Sequence, residues 1–554
     1  MIKNKLQLIL KNLFLILFSF STIIGNSQST NYFETSKNIE IFTDLYKELD
    51  IFYVDEVNSG DLIKTAIDEM LESLDPYTTY IPESDIEDYR FMTTGQYGGI
   101  GAMITKRGDF VFISEPYKGF PAEKAGLMAG DKIVEVNGKS AKGKTTEELS
   151  SILKGQPNTE VSLLIERNGE TFTKKFNREK VTVKSVPYYG FLEDGIAYIK
   201  LRSFTRNCAN DIKSALTDLK SQQELKGIVL DLRSNPGGLL NESVDIVNIF
   251  VEKGEEIVTT KGKIKDWEKT YKARNTPEDI YTPLVVLINS NSASASEIVS
   301  GSIQDLDRGV IIGKRSFGKG LVQQTRKLPY NSQLKVTVAK YYIPSGRCIQ
   351  ALDYSNRNED GSVGKVTDSL TSTFYTRNGR KVKDGGGVLP DVITEKESIS
   401  DITISIVGKR LIFDFATQFR YKNEKIKDIN EFEITDETFN EFVSFLSDKE
   451  YHYTTTTEDA LDIFKEITDE EGTTEFIEEE FNLLLEKIKS NKKNDLQNNK
   501  EELKEFLANE IVSRYYFQEG RIIERLKTDK DIDEALHLLN NLEEYNSILQ
   551  LDEK

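Results

Sequence analysis

The spacing of apolar residues divides the chain into regions of different predicted structure. From Asn31 to about Tyr89 the apolar positions recur every three or four residues, as in helices that bury one face. They are Ile41, Leu45, Leu49 and Phe52, followed by Ile63, Ile67, Met70, Leu71 and Leu74. The second predicted helix ends at Asp75-Pro76, because proline cannot continue the helical hydrogen bonds. We therefore expect an N-terminal helical region over residues 28–90.

Residues 91–180 combine short apolar runs with frequent glycines, which predicts strands joined by tight turns. The pair Asn137-Gly138 is a strong hairpin signal, and a short helix is predicted from Thr146 to Leu153. Three further motifs follow one another: Tyr97-Gly98-Gly99-Ile100-Gly101-Ala102, Pro121-Ala122-Glu123-Lys124-Ala125-Gly126-Leu127 and Gly130-Asp131-Lys132-Ile133-Val134-Glu135-Val136. Together these motifs make the segment resemble a PDZ domain of the bacterial type.

A PDZ domain binds the C-terminus of a peptide, because its glycine loop offers N–H groups to the carboxylate while the peptide adds as a strand. The resemblance implies a peptide-binding loop made of Gly99, Ile100, Gly101 and Ala102. The simpler reading of Gly99 and Gly101 is a tight turn that needs a positive φ. The other motifs at their offsets favour carboxylate binding.

From 181 to 395 the pattern changes to alternating strands and helices. The continuous apolar runs Gly227 to Leu232 and Pro283 to Ile288 suit strands that are buried on both faces of a sheet. Each run ends in a turn rich in glycine or serine, before a helix. Ligand sites of open α/β sheets favour this edge, so the chemistry is expected there.

After Pro390-Asp391 the chain becomes rich in Glu and Lys and keeps a helical spacing of apolar residues. Ile477, Phe481, Leu484 and Ile488 are one example. We expect an α-helical extension over residues 396–554. Dimerisation, docking of the N-terminal helices and adaptor binding all remain open as its role.

The first residues have the pattern of a secretory signal peptide. Three lysines precede a mostly apolar run from Leu13 to Ile24, and the small residues Gly25-Asn26-Ser27 follow. We expect cleavage after residues 1–27 and a mature protein in the periplasm or secreted. Without cleavage, the segment would anchor the protein to the inner membrane.

Composition excludes several classes of function. The length of 554 residues indicates several domains, since single cores rarely exceed about 300 residues. A net charge of −19 argues against a nucleic-acid partner, which needs clustered Lys and Arg. Cys208 and Cys348 show no CxxC spacing and no HExxH motif exists, so neither a metal site nor a cofactor is predicted.

Only two histidines occur, His452 and His537, and both are expected at the surface of the charged last quarter. A hydrolase built from this chain therefore has to work without imidazole, and a serine nucleophile with a lysine base is the natural alternative. The serines between the second buried run and the next helix are the candidates. Ser290, Ser292, Ser294 and Ser296 are not distinguished by composition. Ser294 also begins a capping box with Glu297.

Lys319 lies between Gly318 and Gly320, in a segment that matches most of the sequence motif of a phosphate-binding loop. The final Ser or Thr of that motif is missing, and the following residues predict a strand where a P-loop needs a helix. Nucleotide binding is therefore not expected. A second loop lies earlier in the chain and consists of Arg233-Ser234-Asn235-Pro236-Gly237-Gly238. It is either a simple loop or a loop whose backbone N–H faces a ligand, as an oxyanion hole requires.

Four ordered motifs make residues 35 to 395 resemble the carboxy-terminal processing proteases, which are secreted serine peptidases with an inserted PDZ domain. The motifs are Leu232-Arg233-Ser234-Asn235-Pro236-Gly237-Gly238, Ser292-Ala293-Ser294-Ala295-Ser296-Glu297-Ile298, Phe317-Gly318-Lys319-Gly320-Leu321-Val322-Gln323 and Gly387-Val388-Leu389-Pro390-Asp391-Val392. The resemblance implies a multidomain α/β protein with a ClpP/crotonase-like peptidase core, an inserted PDZ domain over 91–180 and flanking helical regions.

The same resemblance implies roles for individual residues. Ser294 would be the nucleophile, Lys319 the general base and Gln323 the residue that positions the lysine. The oxyanion hole would use the N–H of Ala295 and of Gly237 or Gly238. A lysine titrates near about 10.4, so it must be desolvated to act as a base near neutral pH. The expected apolar neighbours are Phe317, Leu321 and Val322.

The expected partners are protein substrates with exposed apolar C-termini. A homo-oligomer or an adaptor bound through the C-terminal helices stays open. One alternative is a non-catalytic binding protein that carries a PDZ domain on the same fold. An acyl-CoA enzyme of the crotonase-like fold is a further alternative, but it would need neither a PDZ insertion nor a signal peptide.

Overall fold

A computed structural model describes residues 29–193, 195–357, 363–365, 371–395, 398–451, 453–492 and 494–550. The predicted signal peptide and His452 lie outside these residues. The chain forms two compact units, Met1–Tyr80 and Ile81–Lys554.

The first unit contains the two helices that the apolar spacing predicts, α1 (Ser29–Phe52) and α2 (Ser59–Glu72). The carboxamide of Asn58 caps α2 by accepting the N–H of Gly60 at 3.0 Å. Strand β1 (Thr79–Ile81) follows. Among the helices of the described residues, none is long and apolar enough to cross a membrane.

The second unit begins with a small β-rich module whose main sheet has the order β3-β4-β5-β7-β8, with β6 paired to β5. A separate pair, β2 and β9, joins its two ends. Its elements are α3 (Ile86–Thr94), β2 (Gln96–Gly99), β3 (Ala102–Arg107), β4 (Phe110–Pro116), α4 (Pro121–Lys124), β5 (Lys132–Val136), β6 (Lys139–Ser140), α5 (Thr146–Leu153), β7 (Glu160–Arg167), β8 (Glu170–Asn177) and β9 (Glu179–Thr182).

This module has its own core, in which Leu149 and Leu153 of α5 pack beside Val111, Ile113 and other buried strand residues. The sequence predicts both ends of α5 correctly, and a capping box between Thr145 and Glu148 begins the helix.

Next comes a six-stranded sheet with the order β10-β11-β12-β15-β16-β23. All its neighbours run parallel except β10 and β11. The two apolar runs that predict buried strands form β12 and β15, in which every residue is buried. The elements of this part are β10 (Tyr188–Glu193), β11 (Ile196–Lys200), α6 (Cys208–Gln222), β12 (Gly227–Asp231), α7 (Leu240–Phe250), β13 (Glu256–Gly262), β14 (Lys269–Lys272), β15 (Leu284–Ile288), α8 (Ala295–Asp305), β16 (Val310–Gly313), β17 (Leu321–Lys327), β18 (Gln333–Tyr342), β19 (Leu352–Arg357), β20 (Val363–Lys365), β21 (Thr373–Tyr375), β22 (Lys381–Lys383) and β23 (Val392–Ile393).

Helices α6, α7 and α8 cover one face of this sheet. A second sheet, in which β17, β18, β13 and β14 are neighbours, contributes buried residues such as Tyr341 to the same core. This layering places the loops after β12 and β15 at one edge of the six-stranded sheet, because parallel strands end on the same side.

The described residues from 398 to 550 are mainly helical, as the sequence predicts. Its helices are α9 (Asp401–Gly408), α10 (Leu411–Lys422), α11 (Asp436–Leu446), α12 (Thr456–Glu470), α13 (Thr474–Lys492), α14 (Asp495–Asn498), α15 (Lys500–Leu526), α16 (Lys530–Asn540) and α17 (Leu542–Ile548). Helices α9, α10, α11 and α15 share one core. The predicted helical stretch from Ile477 to Ile488 lies in α13.

Helices α16 and α17 pack on the opposite face of the six-stranded sheet. Ile532, Leu539 and Tyr545 share a core with Ile196 and Val285 of the strands. The six-stranded sheet is therefore covered on both faces only with the help of residues more than 130 positions after its last strand.

The C-terminal helical region also contacts the small β-rich module through two ion pairs. Arg107 of β3 pairs with Asp414 of α10, with Nη2 and Oδ2 2.7 Å apart, and Arg521 of α15 pairs with Glu115 of β4 at 3.2 Å. Burial raises the pKa of the Glu115 carboxyl, while the nearby Arg521 opposes the rise.

Candidate active site

Ser294 lies between β15 and α8, where the backbone changes direction abruptly. Its φ of 56° and ψ of −111° are unusual for a residue with a side chain and cost on the order of 1–3 kcal/mol. The predicted capping box is present on the carboxylate side, since Glu297 accepts the N–H of Ser294 at 2.8 Å. The turn leaves the Ser294 side chain partly exposed at the start of the helix.

The neighbouring serines are in different situations. The hydroxyls of Ser292 and Ser296 are buried and donate to the carbonyl oxygens of Leu232 and Asn235, each at 2.9 Å. Ser290 is exposed in the loop before them. Geometry thus separates Ser294 from the other candidates, which composition does not do.

The glycine loop after β12 packs directly against Ser294. A Cβ atom on Gly237 would lie 2.7 Å from the carbonyl oxygen of Ala293 and 2.9 Å from both the Ala295 nitrogen and the Ser294 Cβ. The φ of Gly237 is +98°, a conformation that side chains rarely adopt. Only glycine therefore fits at this contact.

Of the backbone N–H groups near Ser294, some donate a hydrogen bond within the protein and others do not. The N–H of Gly237 donates to Oδ1 of the buried Asn235 at 2.9 Å. Among the hydrogen bonds of the described residues, none is donated by the N–H of Gly238 or of Ala295. The N–H of Phe204 donates to the carbonyl oxygen of Gly237, and the carbonyl oxygen of Phe204 accepts the N–H of Leu239. The N–H of Gly238, which lies between these two residues, therefore points away from Phe204.

A single carboxylate joins the two segments that carry the candidate dyad. Oε2 of Glu297 accepts the backbone N–H of Ser294 at 2.8 Å and of Lys319 at 2.9 Å. Oε1 accepts the Ser316 hydroxyl and the Gly318 N–H, each at 2.6 Å. Burial raises the pKa of Glu297 to about 7, and these four hydrogen bonds limit the rise.

Sequence reasoning assigned Glu297 only to a helix cap and missed its contact with the lysine loop. It missed Tyr341 of β18 entirely. The hydroxyl of this buried tyrosine lies 2.7 Å from the carbonyl oxygen of Lys319 and 3.1 Å from that of Ser294. Burial, and then the nearby Glu297, raise the pKa of Tyr341. No sequence signal separates this tyrosine from an ordinary core residue.

Lys319 is partly buried in the loop before β17. Of its expected apolar neighbours, Leu321 is buried and Val322 partly buried, whereas Phe317 remains 49% exposed and does not form part of the core. Gln323 lies four residues further on in β17, and its Nε2 donates to the Thr337 hydroxyl of β18 at 3.2 Å.

The predicted peptide-binding loop lies at the entry of β3. Gly101 has a φ of +72°, and a Cβ there would lie 2.4 Å from the Cβ of Phe120. The carbonyl oxygens of Ile100 and Gly101 accept hydrogen bonds from Ala122 and Tyr117. No described hydrogen bond is donated by the N–H of Ile100. Ala102 begins β3, an edge strand that contacts α5 along its free side.

His537 and the two cysteines complete the groups that the sequence analysis names. His537 is exposed and pairs with Glu544. Cys208 and Cys348 are not joined by a disulfide, and burial raises the pKa of both thiols.

The chain has the features of a serine peptidase that carries a PDZ domain. A strained serine begins a helix, a glycine loop packs against this serine, and a PDZ-like module is attached. The profile of peptidase family S41 matches residues 195–355, and a PDZ domain profile matches 112–167. A profile for the C-terminal helical domain of probable PDZ-proteases matches 402–539.

Similar proteins carry corresponding names. The carboxy-terminal-processing protease of Bartonella bacilliformis is 38% identical over 61% of this chain and 77% of its own length. A probable CtpA-like serine protease of Staphylococcus aureus is 34% identical over 74% of this chain and 82% of its own. A solved structure, the photosystem II D1 C-terminal processing protease, is 30% identical with a TM-score of 0.36, over 64% of this chain and 92% of that one. This chain belongs to the carboxy-terminal processing proteases of peptidase family S41.

Proposed function

We propose that this protein is an exported endopeptidase that binds the C-terminus of a protein substrate in its PDZ domain and cleaves the substrate with a Ser294/Lys319 dyad. The observation that carries the proposal is the shared carboxylate of Glu297, which accepts the N–H of both residues. Because one carboxylate binds both backbone segments, it fixes the distance between the proposed nucleophile and the proposed base.

In the proposed mechanism, the Ser294 hydroxyl oxygen attacks the carbonyl carbon of the scissile peptide bond while neutral Lys319 takes the hydroxyl proton. The lysine then gives this proton to the leaving amine. Lys319 then takes a proton from water, the resulting hydroxide attacks the acyl carbon, the bond between this carbon and the Ser294 oxygen breaks, and the lysine returns the proton to that oxygen. Gln323 orients the lysine through its amide oxygen, since its amide nitrogen donates to Thr337.

The proposed oxyanion hole consists of the N–H groups of Ala295 and Gly238. The Gly237 N–H is already donated to Asn235, which favours Gly238 as the second donor. The N–H of Ala295 lies in the first turn of α8, where the helix dipole also favours negative charge. Gly237 then serves by allowing the loop to approach Ser294 closely.

The proposed peptide site lies between the free edge of β3 and α5. The substrate carboxylate binds the N–H groups of the loop from Gly99 to Ala102, and the upstream residues pair with β3. Helices α10 and α15 hold the same module through the pairs of Arg107 with Asp414 and of Glu115 with Arg521. An apolar last residue of the substrate would rest beside α5.

The test is cleavage of an unfolded reporter with an apolar C-terminal tail by the full mature chain. We expect Ser294→Ala and Lys319→Ala to abolish cleavage, with Ser290→Ala, an exposed serine of the same loop, as the matched control. Full cleavage by Ser294→Ala would refute the dyad. An inactive wild type that still binds the tail peptide would favour the non-catalytic binding protein. The mass of the purified protein's N-terminal peptide tests removal of residues 1–27.

A further inference from the structure

The loop that carries Gly237 and Gly238 begins at Arg233, whose guanidinium is largely buried. Its Nη2 donates to Oδ2 of Asp231 at 2.8 Å and its Nε to Oδ1 at 3.1 Å. Asp231 is the last residue of β12 and is fully buried. Burial alone would raise the pKa of Asp231, but Arg233 and Lys200 hold it below its usual range.

The other side of the same guanidinium faces helix α16. Nη1 of Arg233 donates to Asp529 at 2.7 Å and to Asp531 at 2.9 Å. Asp529 is also the N-cap of α16, since its Oδ1 accepts the N–H of Asp531 and of Ile532. Both aspartates are only 17% exposed, so solvent screens these pairs weakly. Arg233 thus connects the end of a sheet strand to a helix of the C-terminal region.

The glycine loop needs such anchors, because Ser234 has a strained backbone conformation and the two glycines leave the chain free to adopt many others. Ser234 has a φ of 58°, and Gly237 and Gly238 have φ values of 98° and 148°. Asn289 holds the second residue of the loop by accepting the Ser234 N–H at 2.8 Å. Arg233 fixes its first residue, and the two aspartates of α16 fix Arg233. A loop that loses one of these anchors can relax away from Ser294.

We propose that Asp529 and Asp531 are positioning residues for the peptidase reaction, which act through Arg233 to hold the oxyanion loop against Ser294. This inference rests on the proposed function. It gives the C-terminal helical region a direct part in the reaction, since α16 both covers the sheet and supports the loop. A shift of the Gly238 N–H would weaken the stabilisation of the oxyanion while leaving substrate binding in the PDZ domain intact.

The test is a double variant, Asp529→Asn with Asp531→Asn, in the full mature chain. Asparagine is an equally good N-cap, so the variant removes the two charges without removing the helix cap. Asp533→Asn, an exposed position of the same helix, is the matched control. The measurements are kcat and KM for the tailed reporter, affinity for a peptide boronate that forms a tetrahedral adduct with the serine, and the melting temperature. A single variant, Asp531→Asn, covers the case in which the double variant fails to fold.

We expect kcat to fall about tenfold to a hundredfold, as for a displacement of about 1 Å near reacting groups, with KM nearly unchanged. Boronate affinity should fall in parallel with kcat. Wild-type kcat and boronate affinity in the folded double variant, beside an inactive Ser294→Ala, would overturn the inference and leave the proposed function standing. Activity retained by Ser294→Ala would instead overturn the proposed function.

Discussion

Replacing Glu297 by glutamine tests whether one buried carboxylate holds the proposed nucleophile and the proposed base together. The carboxylate accepts four hydrogen bonds, two on each oxygen. Glutamine has one oxygen and one NH₂ group, so the NH₂ must face two donors. If the amide oxygen stays with Ser316 and Gly318, the N–H groups of Ser294 and Lys319 lose their acceptor.

The size of the effect follows from these two lost hydrogen bonds. A buried donor without an acceptor costs about 1–3 kcal/mol, so the variant should lose about 2–6 kcal/mol of unfolding free energy at pH 8. This is a large part of the roughly 5–15 kcal/mol of a typical domain. Because both donors belong to the segments of the proposed dyad, the same displacement should lower kcat about a hundredfold.

The assay is reporter cleavage beside thermal unfolding, with Glu242→Gln as the control. Glu242 accepts the N–H of Asn207 at 2.8 Å and of Ala209 at 3.1 Å, where α6 begins. The control should lower the melting temperature and leave kcat unchanged. If Glu297→Gln keeps the wild-type kcat while folded, the carboxylate does not position the dyad and the reasoning fails.

Three further predictions concern the same chain. The pKa of Glu297 rises from an ordinary 4.5 to about 7, so between these pH values the folded state keeps a proton that the unfolded state releases. As the pH rises from 4.5 to 7, the unfolding free energy of the wild type should therefore fall by about 3 kcal/mol relative to that of Glu297→Gln, measured by urea titration. Gly237→Ala places a Cβ 2.7 Å from the Ala293 oxygen and should lower kcat at least about a hundredfold, while fluorescence anisotropy shows unchanged binding of the tail peptide. Gly101→Ala places a Cβ 2.4 Å from the Cβ of Phe120 and should weaken tail-peptide binding about tenfold; unchanged anisotropy would contradict the assigned loop.

Local sequence patterns predict much of this fold because the elements concerned depend on nearby residues. The continuous apolar runs of β12 and β15 are buried on both faces, which their composition requires. The helix α5 and its capping box depend on a few adjacent residues. Family motifs, rather than periodicity, single out Ser294 and Lys319.

The supporting contacts of the site are not visible in local patterns, since they join residues that are distant in sequence. Glu297 reaches the Lys319 loop, and Tyr341 approaches both Ser294 and Lys319, only after the second sheet has packed on the first. Arg233 and Asp529 are 296 positions apart. The helical spacing near the C-terminus predicts helices, but it does not say which of them cover the peptidase sheet.

The packing of α16 and α17 on the sheet has a consequence for the order of assembly. Ribosomes build chains from the N-terminus, so the strands up to Gly313 exist well before the helices that begin at Lys530. Until those helices follow, the side chains of Ile196, Val285 and their neighbours lack the cover that the finished fold provides. A peptidase organised in this way completes the core of its sheet only when the last part of the chain has docked.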